Sequence, residues 1–217
     1  KLKLEMNKRL FVGIVDLKIN NLFSIYKSCL KASYKVEIVD PKKNFFMYDI
    51  LILPGVGAFS SGMEYLIKNN FHEKIYHYLD RPNALIYGIC LGMQLFFDKS
   101  YEFKTTSGLK LIKGKVVKFK KKYGNKEKIN IGWSKFTINQ KRNRGIFGNL
   151  EKNFYYHVHS YYVQPQLKSE IFATSIHNNQ KFCSVIRREK IFGTQFHPEK
   201  SGAAGISFLK NLKKIKG

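Results

Sequence analysis

The chain has 217 residues, of which 44% are hydrophobic and 25% charged, and its formal net charge is +24. These values are typical of a globular domain and exclude an intrinsically disordered chain. No apolar run is long enough to cross a bilayer, and the basic N-terminus lacks the apolar segment and cleavage site of a signal peptide.

The length indicates a single domain, which we expect to cover residues 6–217. We accordingly expect Met6 to be the native start and Lys1 to Glu5 to be additions in front of it. The three cysteines, Cys29, Cys90 and Cys183, are too few and too scattered for a disulfide framework or a zinc site. Without a secretion signal, the expected compartment is the cytoplasm.

The lysine excess has two interpretations. One is nucleic-acid binding. The other, which we favour, is a solvated basic surface in a chain whose remaining common residues are those that A/T-rich codons encode. The densest cluster, Lys113 to Lys128, partly alternates with Val and Phe, as in an edge strand protected by lysines. It could equally attract an acidic partner or a phosphorylated substrate.

The first half of the chain predicts alternating strands and helices. Apolar runs indicate strands at "RLFVGIVD", "YKVEIVD", "YDILILPGVG" and "ALIYGIC". Helical spacing follows the cap candidates Asn20 and Asn21, at Leu22, Ile25, Tyr26, Cys29 and Leu30, and two more helices are expected over Ser60 to Asn70 and Phe71 to Leu79. This order indicates a parallel sheet with helices on both faces.

The second half is rich in strands. The segments are "KLIKGKVVKF", "KINIGWSKFTI", "FYYHVHSYYV", "EIFATSIH", "KFCSVIRRE" and "IFGTQFH". Short turns between them suggest an antiparallel extension of the same sheet. Ser201 is placed to cap a last helix in which Ile206, Leu209 and Leu212 share a face.

Cys90 lies in a pattern that suits a nucleophile. Gly88 and Gly92 flank it between a strand and a predicted helix, as in a nucleophile elbow, where a tight turn exposes the reactive side chain. A helix that begins at Leu91 would place backbone N–H groups beside the sulfur and favour the thiolate. The alternative is a buried structural cysteine.

A base for this nucleophile follows in "GTQFHPEKS". His197 and Glu199 are two residues apart around Pro198, so on an extended segment they would point to the same side. The carboxylate could then orient the imidazole, which would serve as general base and acid. Alone, a His-x-Glu pair is usually a surface turn, and its value here comes from its occurrence together with the elbow.

Two further patterns carry weaker signals. "LPGVGAF" ends a strand with free backbone N–H groups that could form an oxyanion hole with the N–H of Leu91; it is no phosphate loop, because no Gly-Lys-Ser/Thr follows. His157 and His159 share a strand face, but no cysteine or carboxylate completes a metal site, so packing or hydrogen bonding is favoured over metal binding.

Together, "YGICLGMQLFF" and "TQFHPEKS" resemble the class I (triad) glutamine amidotransferases over nearly the whole chain. Within that family, "PGVGAF", "IGWS" and "YYHVHSYY" are most similar to glutaminase subunits of imidazole glycerol phosphate synthases. The resemblance implies a flavodoxin-like open sheet, hydrolysis of L-glutamine to glutamate and ammonia, and no cofactor or metal. It implies the following roles: catalytic Cys90, His197 and Glu199; oxyanion hole Leu91, Val56 and Gly57; glutamine binding by Gly55, Gly57, Gln94, Ser160 and Tyr161.

The resemblance also implies a partner. Such subunits form heterodimers with a (β/α)8 cyclase and pass ammonia through its barrel, and Trp133, Asn130 and Lys200 match interface positions. The sequence departs from the family at two places. Lys18 and Asn20 replace glycines in the first loop, and Asn130 and Ser134 stand where His and Asn are usual. These departures leave open a paralogue that feeds a different synthase, such as one that amidinates a glycan sugar; a non-catalytic nucleic-acid binder is a remote alternative.

Overall fold

The protein is described by a computed structural model over residues 9–18, 22–120, 129–139 and 147–216. The expected start at Met6, the positions of Asn20 and Asn21, and residues 121–128 of the lysine cluster lie outside the described residues. The protein has an α/β architecture, as predicted.

Fourteen strands occur in the described part of the chain. They are β1 (Phe11–Val15), β2 (Lys35–Val39), β3 (Ile50–Leu53), β4 (Ile86–Ile89), β5 (Phe97–Ser100), β6 (Thr106–Ser107), β7 (Ile112–Lys118), β8 (Asn130–Ser134), β9 (Thr137–Ile138), β10 (Tyr155–His159), β11 (Tyr161–Pro165), β12 (Ile171–His177), β13 (Gln180–Arg188) and β14 (Ile191–Thr194).

Eight of these strands form the main sheet, in the order β2-β1-β3-β4-β14-β13-β12-β9. The five strands from β2 to β14 in that order are parallel, and β13, β12 and β9 extend the sheet in antiparallel pairing. The predicted mainly parallel sheet with an antiparallel extension is therefore confirmed. Parallel strands place their carboxyl ends along one edge, where ligands bind in open α/β sheets.

The extension differs from the prediction in one respect. Four strands form a separate sheet, β11-β7-β5-β6, and two form a ribbon, β10-β8, so not every strand of the second half joins the main sheet. The segment "FYYHVHSYYV", which reads as one strand, breaks at Ser160. Its halves pair with different partners, β8 and β7, because both halves have strand-forming residues and only the tertiary contacts decide the break.

Within the described ranges, the α-helices that accompany the strands are α1 (Leu22–Lys31), α2 (Phe59–Lys68), α3 (Phe71–Asp80), α4 (Leu91–Gln94) and α5 (Gly202–Lys216). The helices predicted after β1 and β3 and before β4 are confirmed to within a few residues. The helix after Cys90 has a single turn, and the apolar residues that follow, Leu95 to Phe97, leave it to meet the β5 sheet. No helix among the described residues is both long and apolar enough to span a membrane.

The core has two halves on opposite faces of the main sheet. Helices α2 and α3 cover one face, with Phe59, Leu66, Phe71 and Tyr78 fully buried. Helices α1 and α5 cover the other face, where aromatic side chains dominate. Phe208 of α5 stacks on Phe147 with ring centroids 4.8 Å apart. Both faces of the parallel strands are thus shielded from water, which leaves the strand ends as the place for a ligand.

Helix α4 crosses the end of β3 at very short range. A Cβ atom at Gly92 would lie 1.6 Å from the carbonyl oxygen of Leu53, which is a backbone atom and has no room to move. Gly92 is therefore required by packing. This contact fixes the height of the one-turn helix above the sheet and, with it, the position of Cys90.

We expect Gly92→Ala to lower the free energy of unfolding by about 3 kcal/mol, since the added methyl group forces α4 away from β3. Urea unfolding followed by circular dichroism measures this loss. Ser61→Ala, on the exposed side of α2, is the control and should change stability by less than about 0.5 kcal/mol. A Gly92→Ala protein as stable as this control would contradict the packing argument.

Candidate active site

Cys90 occupies the sharp turn between β4 and α4. Its backbone has φ 51° and ψ −105°, a region that residues other than glycine rarely adopt. The turn is held by a 2.7 Å hydrogen bond from the Cys90 N–H to the carbonyl of Thr194 on β14. Strained backbone that the surroundings hold in place is common at functional sites. The predicted elbow geometry is thus present, although α4 is too short to provide a sizeable helix dipole.

His197 and Glu199 come together just beyond β14. The distance between His197 Nδ1 and Glu199 Oε1 is 2.7 Å, and His197 is 1% exposed. The extended segment expected here is replaced after His197 by a 3₁₀ turn, Pro198–Lys200, which still brings the carboxylate to the ring. Because Nδ1 is engaged with Glu199, Nε2 remains for another partner; it makes no hydrogen bond among the described residues.

The charge of His197 depends on its two neighbours. Burial lowers the pKa of His197, but its electrostatic interactions with Cys90 and Glu199, together with its hydrogen bond to Glu199, raise that pKa by more, so the net shift is upward from 6.5. A raised pKa keeps the imidazole protonated at neutral pH. The site therefore favours an imidazolium that is hydrogen-bonded to Glu199.

A set of hydrogen bonds fixes the segment that carries His197. Its N–H donates to Tyr156 O at 2.9 Å, and its carbonyl accepts from the Ser201 hydroxyl at 2.6 Å. Ser201 Oγ in turn accepts from the Tyr156 N–H. Ser201 directly precedes α5, as predicted. The sequence indicated that its hydroxyl would cap this helix, but in the structure the hydroxyl links the active-site turn to β10.

A cavity of about 540 Å³ opens beside Cys90. The predicted residues Val56, Gly57, Leu91, Gln94, Ser160, Tyr161 and Lys200 line it with Cys90. Glu102 and Lys118 also line it and were missed, because nothing in their local sequence marks them. The Glu102 carboxylate accepts a 2.6 Å hydrogen bond from the Phe59 N–H at the start of α2, which holds it at the cavity wall.

The predicted oxyanion donors are only partly available in this structure. The Leu91 N–H donates to the Gly55 carbonyl at a distance of 3.3 Å, which is long for such a bond. Gly57 has φ 120°, which a residue with a side chain rarely adopts, so this turn depends on glycine. The loop is thus in contact with the elbow, with its Gly55 carbonyl directed at Leu91.

The predicted interface residues have different environments. Trp133 is 54% exposed and packs edge-on to Tyr156, over which Lys200 also lies. Asn130 is only 3% exposed, so it points inward. The prediction that it lies at a partner surface is therefore wrong for its side chain. Its Nδ2 is 3.0 Å from His159 Nε2. Strand alternation on β8 explains the difference, since neighbouring residues point to opposite sides.

The two strand histidines are core residues with hydrogen-bond roles. His159 Nδ1 lies 2.8 Å from Tyr161 O and His157 Nδ1 lies 3.1 Å from Tyr155 O, so each ring donates to a carbonyl. Burial lowers the pKa of His157 to about 4 and that of His159 well below 6.5. Both rings are therefore neutral at pH 7. In the described ranges, no three His, Cys, Asp or Glu side chains are grouped as metal ligands.

Comparison with known proteins places this site in a family. The model of class-I glutamine amidotransferases matches residues 14–214. The chain belongs to this family. It is 38% identical to imidazole glycerol phosphate synthase subunit HisH of Wolinella succinogenes, covering 94% of this chain and 99% of the relative. It is 39% identical to the HisH subunit of Caldanaerobacter subterraneus, covering 93% and 96%.

Solved structures agree with the fold. A structure described as glutamine amidotransferase superposes with a TM-score of 0.72 at 12% identity, covering 95% of this chain and 98% of that one. PurLQS from Thermotoga maritima gives a TM-score of 0.70 at 15% identity, covering 96% and 100%. At these identities the likeness concerns the fold, and it confirms the predicted flavodoxin-like architecture.

The geometry predicts the titration of His197. Glu199→Gln removes an anion that raises the pKa of His197, so that pKa should fall by about 1–3 units. Titration of the ring nitrogens by ¹⁵N NMR measures the shift, with the unsubstituted protein showing a protonated ring at pH 7. His157 is an internal control, because its buried ring should stay neutral at pH 7 in both proteins. An unchanged His197 titration would show that Glu199 does not stabilise the imidazolium.

Proposed function

We propose that this chain is a glutaminase subunit that hydrolyses L-glutamine to glutamate and ammonia with Cys90, His197 and Glu199. The observation that carries the proposal is the buried pair of His197 and Glu199. The Nε2 atom of His197 is free, and the ring interacts electrostatically with Cys90, which lies at the wall of the cavity. Nucleophile, base and orienting carboxylate are the groups that covalent catalysis of amide hydrolysis requires.

The proposed reaction has two stages. The Cys90 thiolate attacks the side-chain carbonyl of glutamine, and the His197 imidazolium gives its proton to the departing ammonia. A glutamyl thioester remains on the sulfur. Neutral His197 then takes a proton from water, which attacks the thioester and releases glutamate. Glu199 holds the ring in one orientation and stabilises its charged form in both stages.

Substrate recognition is proposed to use the charges that line the cavity. Glutamine carries an α-ammonium and an α-carboxylate, each of which loses hydration on binding and needs a partner. Glu102 is suited to the ammonium, and Lys118, whose Nζ lies 5.7 Å from the centre of the Tyr161 ring, to the carboxylate. The rest of the glutamine molecule would be surrounded by the residues that the family resemblance implies for glutamine binding: Gly55, Gly57, Gln94, Ser160 and Tyr161.

The oxyanion hole is proposed to form only after a local change. The Leu91 N–H can meet the developing oxyanion once the Gly55 carbonyl no longer accepts its hydrogen bond. At 3.3 Å that bond is weak, so the exchange costs little. The nearby N–H groups of Val56 and Gly57 would then complete the oxyanion hole. Such a change would convert a site that cannot stabilise the oxyanion into one that can. We therefore expect low activity in the isolated chain.

The proposed partner is a (β/α)8 cyclase that forms imidazole glycerol phosphate from the delivered ammonia. Two relatives with which the chain aligns over more than nine-tenths of its length are named as subunits of that synthase, which supports the pathway. Exposed Trp133 and Lys200 at the rim would contact the cyclase in a heterodimer. We place this complex in the cytoplasm, where the three free cysteines remain reduced.

We expect Cys90→Ala to lower glutamate release by roughly 10³-fold or more, because no other group replaces the thiolate. The assay measures glutamate from glutamine with and without a histidine-pathway cyclase and its ribonucleotide ligand, which should stimulate the unsubstituted protein strongly. Cys29→Ala, a substitution of a buried thiol on α1, is the matched control and should keep the activity.

Two results would change the proposal. Glutamate release by Cys90→Ala at the level of the control would refute the catalytic role of Cys90. Glutamine hydrolysis without any stimulation by the cyclase, with Cys90 still labelled by a glutamine-like electrophile, would refute the histidine-pathway partner and favour the paralogous alternative with a different synthase.

The role of Glu102 predicts a binding defect. In Glu102→Gln, an amide oxygen can still accept from the Phe59 N–H, but the charge that faces the substrate ammonium is lost. We expect KM for glutamine to rise about 10-fold with little change in kcat, as for the loss of one charge-assisted hydrogen bond. Steady-state kinetics measures both, and Glu64→Gln, on the exposed side of α2, is the control. An unchanged KM would remove Glu102 from the binding site.

A further inference from the structure

Gln195 is a fully buried amide that contacts the sulfur of Cys90. It is 0% exposed and lies two residues before His197. Its Nε2 is 3.5 Å from Cys90 Sγ, and its Oε1 is 3.3 Å from Gln94 Nε2. The side chain thus joins the nucleophile to a residue on the other side of the elbow, and neither the motif nor the proposed mechanism gives it a role.

The orientation of both amides follows from the hydrogen-bond network. The Tyr161 carbonyl can only accept, so the group 3.0 Å from it must be the NH₂ of Gln94. The same NH₂ faces Gln195, which must therefore present its oxygen. The opposite orientation of Gln195 would place two NH₂ groups against each other. It follows that Gln195 presents an N–H to the sulfur.

The backbone keeps the Gln195 amide in this place. The Gln195 N–H donates to Ser184 O at 2.8 Å, in line with the pairing of β13 and β14. One residue earlier, Thr194 accepts the N–H of Cys90, and its hydroxyl donates to Phe196 O at 3.0 Å. Donor and sulfur are therefore attached to neighbouring strands whose register is fixed.

We propose that Gln195 stabilises the Cys90 thiolate by donating an N–H to its sulfur and holds that sulfur towards the substrate pocket. This inference rests on the proposed glutaminase function. An N–H donor beside a buried anion contributes more than one beside a neutral thiol, so the contact favours the reactive form. The oxygen of Gln195 also fixes Gln94, so one side chain orients both nucleophile and substrate-binding amide.

The geometry has a consequence for Gln94. Both hydrogens of its NH₂ are used inside the protein, one by Tyr161 O and one by Gln195 Oε1. Only its Oε1 remains for a ligand. Gln94 can therefore accept a hydrogen bond from an N–H group of glutamine but cannot donate one to the substrate carboxylate, which leaves that carboxylate to a cation or a backbone N–H group.

The test compares Gln195→Met with the unsubstituted protein. Methionine has a similar length and no N–H donor, so the pH at which iodoacetamide labels Cys90 at half its maximal rate should rise by about 1–2 units. kcat/KM for glutamine should fall about 10- to 100-fold. Gln195→Glu should show the larger effect, since it places an anion against the sulfur. Gln180→Met is the matched control: it removes a hydrogen bond to the Tyr162 hydroxyl, and neither residue lines the cavity.

Labelling must be assigned to Cys90 by mass spectrometry, with Cys90→Ser as blank. The other charged groups around the sulfur are His197 and Glu199 beyond β14, with Glu102, Lys118 and Lys200 across the cavity, and all of them are kept. A Gln195→Met profile that superposes on that of the unsubstituted protein, in a variant with the same melting temperature, would overturn the inference alone. Absence of Cys90 labelling and glutamine hydrolysis in the unsubstituted protein would overturn the proposed function as well.

Discussion

The contact of α4 with the end of β3 is the constraint on which the site depends. Gly92 lies against the Leu53 carbonyl, and in the turn before it Cys90 takes a positive-φ backbone conformation. Such a sparsely populated conformation costs about 1–3 kcal/mol. It persists because the N–H of Cys90 bonds to β14 and α4 is fixed by packing. The sulfur is thereby directed to the sheet edge where parallel strands end.

Electrostatics then separates the three histidines near this edge. Electrostatic interactions with Cys90 and Glu199 raise the pKa of His197 despite its burial. His157 and His159 are also buried, and burial lowers the pKa of each ring. Repulsion from the neighbouring histidines, including His197 and His177, lowers both pKa values further, so both rings are neutral. A general acid–base group and two structural rings are thus distinguished by neighbouring charge alone.

The sequence predicted what local patterns encode. Glycines around Cys90, a His-x-Glu pair and apolar runs gave the parallel sheet, the elbow and three residues that the structure brings together. It could not predict Glu102, Lys118 or Gln195, because their roles come from long-range packing. The break at Ser160 and the one-turn α4 were missed for the same reason, since strand and helix propensities there are overridden by tertiary contacts.

Strand β8 shows how one short segment serves two surfaces. Its alternation presents Trp133 outward and Asn130 inward. Asn130 bonds to His159, His159 to the Tyr161 carbonyl, and that carbonyl also accepts from Gln94. Because His159 donates through Nδ1, its Nε2 must be an acceptor, and an amide NH₂ at position 130 satisfies it. Asn130 therefore supplies a donor on the inward side of β8, while Trp133 lies on its exposed side.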